Sequence, residues 1–141
     1  MKKKESHHRN YANEGYFYSS SPLQRFFVST SRGFEDILKE ELEEICSFLQ
    51  IKNRIWKGSA GCYLEAPWSG CIAANLSSMC ASRVLLVLAE DQVRDEKELY
   101  ELARSLDWPS IFNLNLTFAV NASINDTFVQ NSMFVGLKIK D

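Results

Sequence analysis

Residues 25–30 (RFFVST) form a short apolar and β-branched run, the composition of a strand. Past Gly33, the residues Phe34, Ile37, Leu38, Leu42 and Ile45 recur at helical spacing. Glu35 and Asp36 fall in that helix's first turn, where the helix dipole favours acids. Residues 52–57 and 60–66 predict two strands joined at Gly58-Ser59 as a hairpin. Pro67 suits the first turn of a second helix running through Ile72, Ala73, Leu76 and Cys80. Residues 83–88 are a continuous apolar run, which predicts a strand covered on both faces. The order β-α-β-β-α-β predicts an α+β fold of the ferredoxin-like kind, a four-stranded sheet with two helices on one face.

A second unit starts near Asp91. Asp95 is placed to cap a helix, with Glu98 three residues on as its reciprocal partner, and Leu99, Leu102, Ala103 and Leu106 face inward. Trp108-Pro109 is expected to end that helix, and residues 116–120 to form a strand. Thr127 and Gln130 repeat the capping pattern and open a helix that is still running at Asp141. One strand makes no sheet, so this unit reads as unfinished. The pattern divides the chain into an extension over residues 1–24 without sustained periodicity, a ferredoxin-like part over 25–90 and a second part over 91–141.

The chain has 141 residues and a formal net charge of -2, with 45% hydrophobic residues. That length suits one ordinary domain or two very small ones, and is short for an enzyme that holds a cofactor and reads a large substrate. No apolar run approaches the roughly 20 residues of a membrane helix. The basic start at Lys2, Lys3 and Lys4 runs into polar sequence where a signal peptide would turn apolar. Cys46, Cys62, Cys71 and Cys80 form no C-x-x-C pair and read as reduced, mostly buried thiols of a cytoplasmic protein. Charge is uneven: residues 35–44 hold six acids and one base, Lys39. A mildly acidic pI near 5.7 excludes binding by bulk positive charge but leaves room for a local nucleic-acid face.

Candidate chemistry is sparse. The glycines form neither a dinucleotide fingerprint nor a phosphate loop, and Gly58 and Gly61 are accounted for by the hairpin. His7 and His8 lie in the extension, far along the chain from the cysteines, so no metal-binding set is expected. Glu40, Glu41, Glu43 and Glu44 lie mostly opposite the apolar stripe and read as a solvated helix face rather than acid–base machinery. No catalytic or cofactor-binding residue emerges. The most informative stretch is residues 121–132, which gathers Asn, Ser, Asp, Thr and Gln at a helix start, a setting suited to anions such as phosphates.

Several short segments occur together and in order: residues 27–35 (FVSTSRGFE), 81–83 (ASR), 106–108 (LDW), 117–120 (TFAV), 125–127 (NDT), 131–132 (NS) and 138–141 (KIKD). In this the chain from Arg25 onward resembles the N-terminal part of the bacterial 23S ribosomal RNA guanine-N2-methyltransferases, whose members also carry the label N6-adenine-specific DNA methylase. The resemblance implies a ferredoxin-like domain followed by the first part of a THUMP domain, an RNA-binding module. A catalytic domain using S-adenosylmethionine follows in that family. Two local departures stand out: Ser77, Ser78 and Met79 replace a usual Trp-Ser-Arg, and Gln130 stands where an Arg precedes Asn-Ser. The family's catalytic Asn/Asp-Pro-Pro-aromatic motif is absent, since Pro22, Pro67 and Pro109 are each isolated.

The resemblance therefore implies an RNA-recognition portion, truncated within THUMP and catalytically inactive by itself. It would bind structured large-subunit rRNA through backbone and shape more than through base sequence. Arg32, Arg83, Asn125, Asn131, Lys138 and Lys140 are the expected RNA contacts. Two alternatives are a stand-alone RNA-binding adaptor working with a separately encoded methyltransferase chain, and a non-functional remnant of a disrupted gene.

Overall fold

A computed structural model of the chain describes residues 22–113, 115–123, 135, 136 and 139. The chain divides into two compact units between Val87 and Leu88. In the first, β1 (Gln24–Ser29), α1 (Glu35–Phe48), β2 (Arg54–Gly58), β3 (Gly61–Ala66), α2 (Trp68–Ser77) and β4 (Arg83–Leu86) follow one another in the expected order. The strands make one antiparallel sheet in the order β2-β3-β1-β4. This is the ferredoxin-like arrangement, with both helices packed against the sheet.

Strand alternation sends Phe26, Val28, Cys62, Leu64 and Ala66 toward the helices, where Leu38, Leu42, Cys46 and Ala74 close a buried core. Burial pushes the Cys46 thiol up to about 11, so it packs as a neutral apolar group. All four cysteines are free thiols, with Cys46 and Cys62 buried and Cys71 and Cys80 partly so.

The helix stripes differ from the sequence expectation. In α1 the buried set is Leu38, Leu42 and Cys46, strictly four residues apart, while Phe34 and Ile37 are about half exposed. Phe34 lies just outside the helix as its N-cap, and Ile37 is one position, about 100°, away from Leu38. In α2 the buried residues are Ser69, Gly70, Ala73 and Ala74, whereas Ile72 is exposed and Leu76 is 81% exposed. The inward face of α2 is its small-residue face, and at the β3–α2 junction even a Cβ on Gly70 would come within 2.6 Å of the Ala66 Cβ, four residues back. The helix ends at Ser77, leaving Cys80 in the connection to β4.

β4 is shorter than predicted and is an edge strand, and its outer face is open: exposure alternates along it and Leu85 is 49% exposed. Two carboxylates of α1 pin loops to the sheet. Glu35 accepts from the Gly33 N–H at 2.7 Å and from the Ala60 N–H of the β2–β3 turn at 3.2 Å. Glu41 accepts from the Ser78 hydroxyl and from the N–H groups of Met79, at 2.7 Å, and Cys80, at 3.2 Å. At the other end of α1, Gln50 takes a left-handed φ of 55°. This lets Ile51 N–H reach the Cys46 carbonyl at 2.8 Å and Gln50 N–H reach Ser47 at 3.1 Å, a Schellman closure with Gln in the usual glycine position.

In the second unit, α3 (Glu96–Arg104) is capped as expected, the Asp95 carboxylate accepting from the Glu98 N–H at 2.8 Å. The reciprocal bond differs: Glu98 accepts from the Arg94 N–H at 2.8 Å rather than from that of Asp95. Trp108-Pro109 opens the short helix α4 (Trp108–Ile111) instead of only terminating α3, and the Trp108 indole donates to the Ala103 carbonyl at 2.8 Å. Residues 116–120 form no strand; among the described residues nothing pairs with them, and Leu116 and Phe118 remain exposed. The capping pattern at Thr127 and Gln130 lies outside the described residues.

Candidate nucleic-acid interface

The side chains that alternate away from the helices form the outer face of the sheet. Pairing register arranges them in three rows across the strands. The first row holds Arg54, Glu65 and Arg25; the middle row Trp56, Tyr63, Phe27 and Leu85; the third Gly58, Gly61, Ser29 and Arg83. The middle row is aromatic over three adjacent strands. Trp56 stacks on Tyr63 with centroids 5.3 Å apart and planes 14° apart, and Tyr63 meets Phe27 edge-on at 5.0 Å. The guanidinium carbons of Arg25 and Arg54 each lie 5.5 Å from the centre of a Trp56 ring.

Gly58 and Gly61 do more than allow the turn. A Cβ on Gly61 would meet the Val28 carbonyl oxygen at 2.4 Å and Phe27 Cζ at 2.6 Å; one on Gly58 would meet Tyr63 Cε2 at 2.9 Å. The two glycines thus leave the space into which the Phe27 and Tyr63 rings extend. The turn itself is Ser59-Ala60, with Ala60 at a left-handed φ of 55°.

Charge is distributed by side. The outer face carries Arg25, Arg54 and Arg83 against Glu65, which lies 3.9 Å from Arg25. On the helix side, Glu40, Glu43 and Glu44 are exposed, with Lys39 held 3.1 Å from Glu43. The glutamates expected to form a solvated face do so except for Glu41. Partial burial works to raise its pKa, but its three hydrogen bonds at the α2–β4 turn outweigh that and hold the carboxyl below the ordinary range. Glu35 is also lowered, by backbone N–H donors that begin with its own and include Gly33 and Ala60.

Two of the residues expected from sequence to contact RNA are described. Arg83 is exposed at the start of β4 on the outer face, opposite Ser29, whose hydroxyl donates to its carbonyl at 3.4 Å. Arg32 is exposed in the turn after β1, toward the same end of the sheet. Asn125, Asn131, Lys138 and Lys140 lie outside the described residues. Sequence reading missed Arg25, Phe27, Arg54, Trp56 and Tyr63 as a set. Their only sequence signal is an aromatic or basic residue at alternate strand positions.

Residues 25–85 match the RlmL ferredoxin-like domain, and residues 93–141 match the THUMP domain. The chain thus carries an RlmL ferredoxin-like domain followed by THUMP-domain sequence. It is 34% identical over 118 residues to the ribosomal RNA large subunit methyltransferase K/L of Colwellia psychrerythraea strain 34H, a match that takes in 84% of this chain. The protein of the same name from Pseudoalteromonas atlantica strain T6c is 32% identical over 116 residues. The chain spans only 16% of the length of each of these relatives. Among solved structures, a predicted N6-adenine-specific DNA methylase from Listeria monocytogenes superposes with a TM-score of 0.71 at 20% identity, over 84% of this chain and 30% of that one. That likeness shows the fold.

The glycines of the first unit serve packing and turns: Gly58 and Gly61 are filled by aromatic rings, Gly70 lies against Ala66, and Gly33 occupies the β1–α1 turn at a φ of 92°. Among the described residues, no three His, Cys, Asp or Glu side chains converge as metal ligands, and no helix is long and apolar enough to cross a membrane.

Proposed function

We propose that this chain is the RNA-recognition portion of a large-subunit rRNA guanine-N2-methyltransferase and binds structured rRNA without catalysing methyl transfer itself. The observation that carries this reading is the succession of an RlmL ferredoxin-like domain and THUMP sequence in one short chain. Residues 25–90 and 91–141 act as the two recognition parts, in a cytoplasmic protein. Arg32 and Arg83 meet phosphates at one end of the sheet, and Asn125, Asn131, Lys138 and Lys140 supply further donors from the THUMP part. Such contacts fix the position and orientation of the RNA rather than read its sequence. S-adenosylmethionine binding and transfer to guanine N2 belong to the other parts of the longer relatives.

Titration of a labelled large-subunit rRNA hairpin at two salt concentrations tests the reading. Affinity should fall with rising salt, because each neutralised phosphate releases counterions. Binding no stronger than that of a neutral control protein would sink the proposal. A methyl-transfer assay on the isolated chain should give background counts; turnover would contradict the division of labour.

A further inference from the structure

We infer that the outer face of the four-stranded sheet is a stacking platform for unpaired RNA bases, an inference that rests on the RNA-binding reading above and extends it from Arg83 to the aromatic row beside it, with a different mode of contact. Base stacking needs ring faces held in place beside cations that can reach the backbone, and it tolerates any sequence because every base has a π-face. The middle row supplies the rings: Phe27, Tyr63 and Trp56 on three adjacent strands, continued by the half-exposed Leu85 on the fourth. The rings are fixed by one another and by the space over Gly58 and Gly61.

The flanking rows supply the cations. Arg54 and Arg25 lie on one side of the ring row and Arg83 on the other, each two strand residues away, or about 7 Å. The Arg25 and Arg54 guanidiniums rest 5.5 Å over the Trp56 ring, so a base that stacks there displaces them toward its own phosphate. Charge selects the occupant. Three arginines face one glutamate on this side of the sheet, while the exposed acids of α1 occupy the opposite side of the unit. A polyanion carrying flat apolar rings complements that face; a paired helix, with its bases enclosed, does not offer them.

The test compares three probes on the full chain: a short uridine-rich single strand, an abasic ribose-phosphate strand of equal length and charge, and a paired duplex of the same sequence. The single strand should bind about tenfold or more tightly than the abasic strand, the loss expected from removing a base–ring contact. Trp56→Ala should abolish that difference, and Trp56→Phe should restore most of it. Tyr63→Leu provides a second variant, and circular dichroism of each confirms the fold. Equal binding of base-bearing and abasic strands would overturn the platform while leaving RNA binding intact. Failure of every RNA to bind would overturn both readings. Self-association that depends on Trp56 would give this face to a second copy of the chain instead.

Discussion

The two faces of the sheet are built by the same four strands and differ in charge and exposure. Toward the helices, Phe26, Val28, Cys62, Leu64 and Ala66 are sealed against Leu38, Leu42, Cys46 and Ala74, with no charged side chain among the buried residues. Away from them, arginines and aromatic rings occupy the alternate positions of the same strands. One face is explained completely by the need to fold. The other is costlier than folding requires, since a solvated sheet face is served as well by threonine, lysine or glutamate. The teaching is that the folding surface and the proposed recognition surface are separated by strand alternation, not by distance along the chain.

That separation can be broken from the inner side first. Leu42→Ala empties a fully buried position in the core and should cost about 2–5 kcal/mol in urea unfolding. RNA affinity of the fraction still folded should stay close to that of the parent protein. Gly61→Ala attacks the boundary between faces, because its Cβ has no room against the Val28 carbonyl and the Phe27 ring. It should cost about 1–3 kcal/mol in stability and also weaken binding of single-stranded RNA.

The third variant sharpens the comparison through pH. Glu41 has a folded pKa below its ordinary value, so its contribution is present at neutral pH and fades as pH falls through the folded value. Glu41→Gln should lower stability by about 1–2 kcal/mol at pH 7 and flatten the acid limb of a stability–pH profile below about pH 4.5. An unchanged acid limb would show that the α2–β4 turn does not depend on this carboxylate. The smallest effect belongs to the outer face. Arg54→Gln should change stability by less than about 0.5 kcal/mol and reduce the slope of log affinity against log salt by about 0.7.

Much of the inner face was legible in the sequence, because Gly33, Gly58 and Pro67 punctuate the elements and the apolar periods between them are strong. The errors there have packing causes. Periodicity places Ile72 and Leu76 on the α2 stripe, but the face that packs inward carries Ser69, Gly70, Ala73 and Ala74. A continuous apolar run at 83–88 suggests a strand covered on both sides, yet both helices pack on one side of the sheet and the other face of β4 is open. The outer face was nearly invisible for a related reason. Phe27, Trp56, Tyr63 and Leu85 are scattered along the sequence and become one row only through strand register. Family resemblance points to Arg32 and Arg83 as candidate positions but not to the aromatic row beside one of them.

The tryptophans offer a direct measurement of the central claim, that the outer face is where RNA binds. Trp56 lies on that face, whereas Trp68 starts α2 on the helix side, with its ring 5.3 Å from the inward-facing Phe26. Their indole N–H resonances can be followed in one heteronuclear NMR titration of the full chain with single-stranded RNA. The account predicts that the Trp56 signal shifts and saturates with added RNA while the Trp68 signal stays in place. A stationary Trp56 signal under conditions where RNA is bound would contradict it.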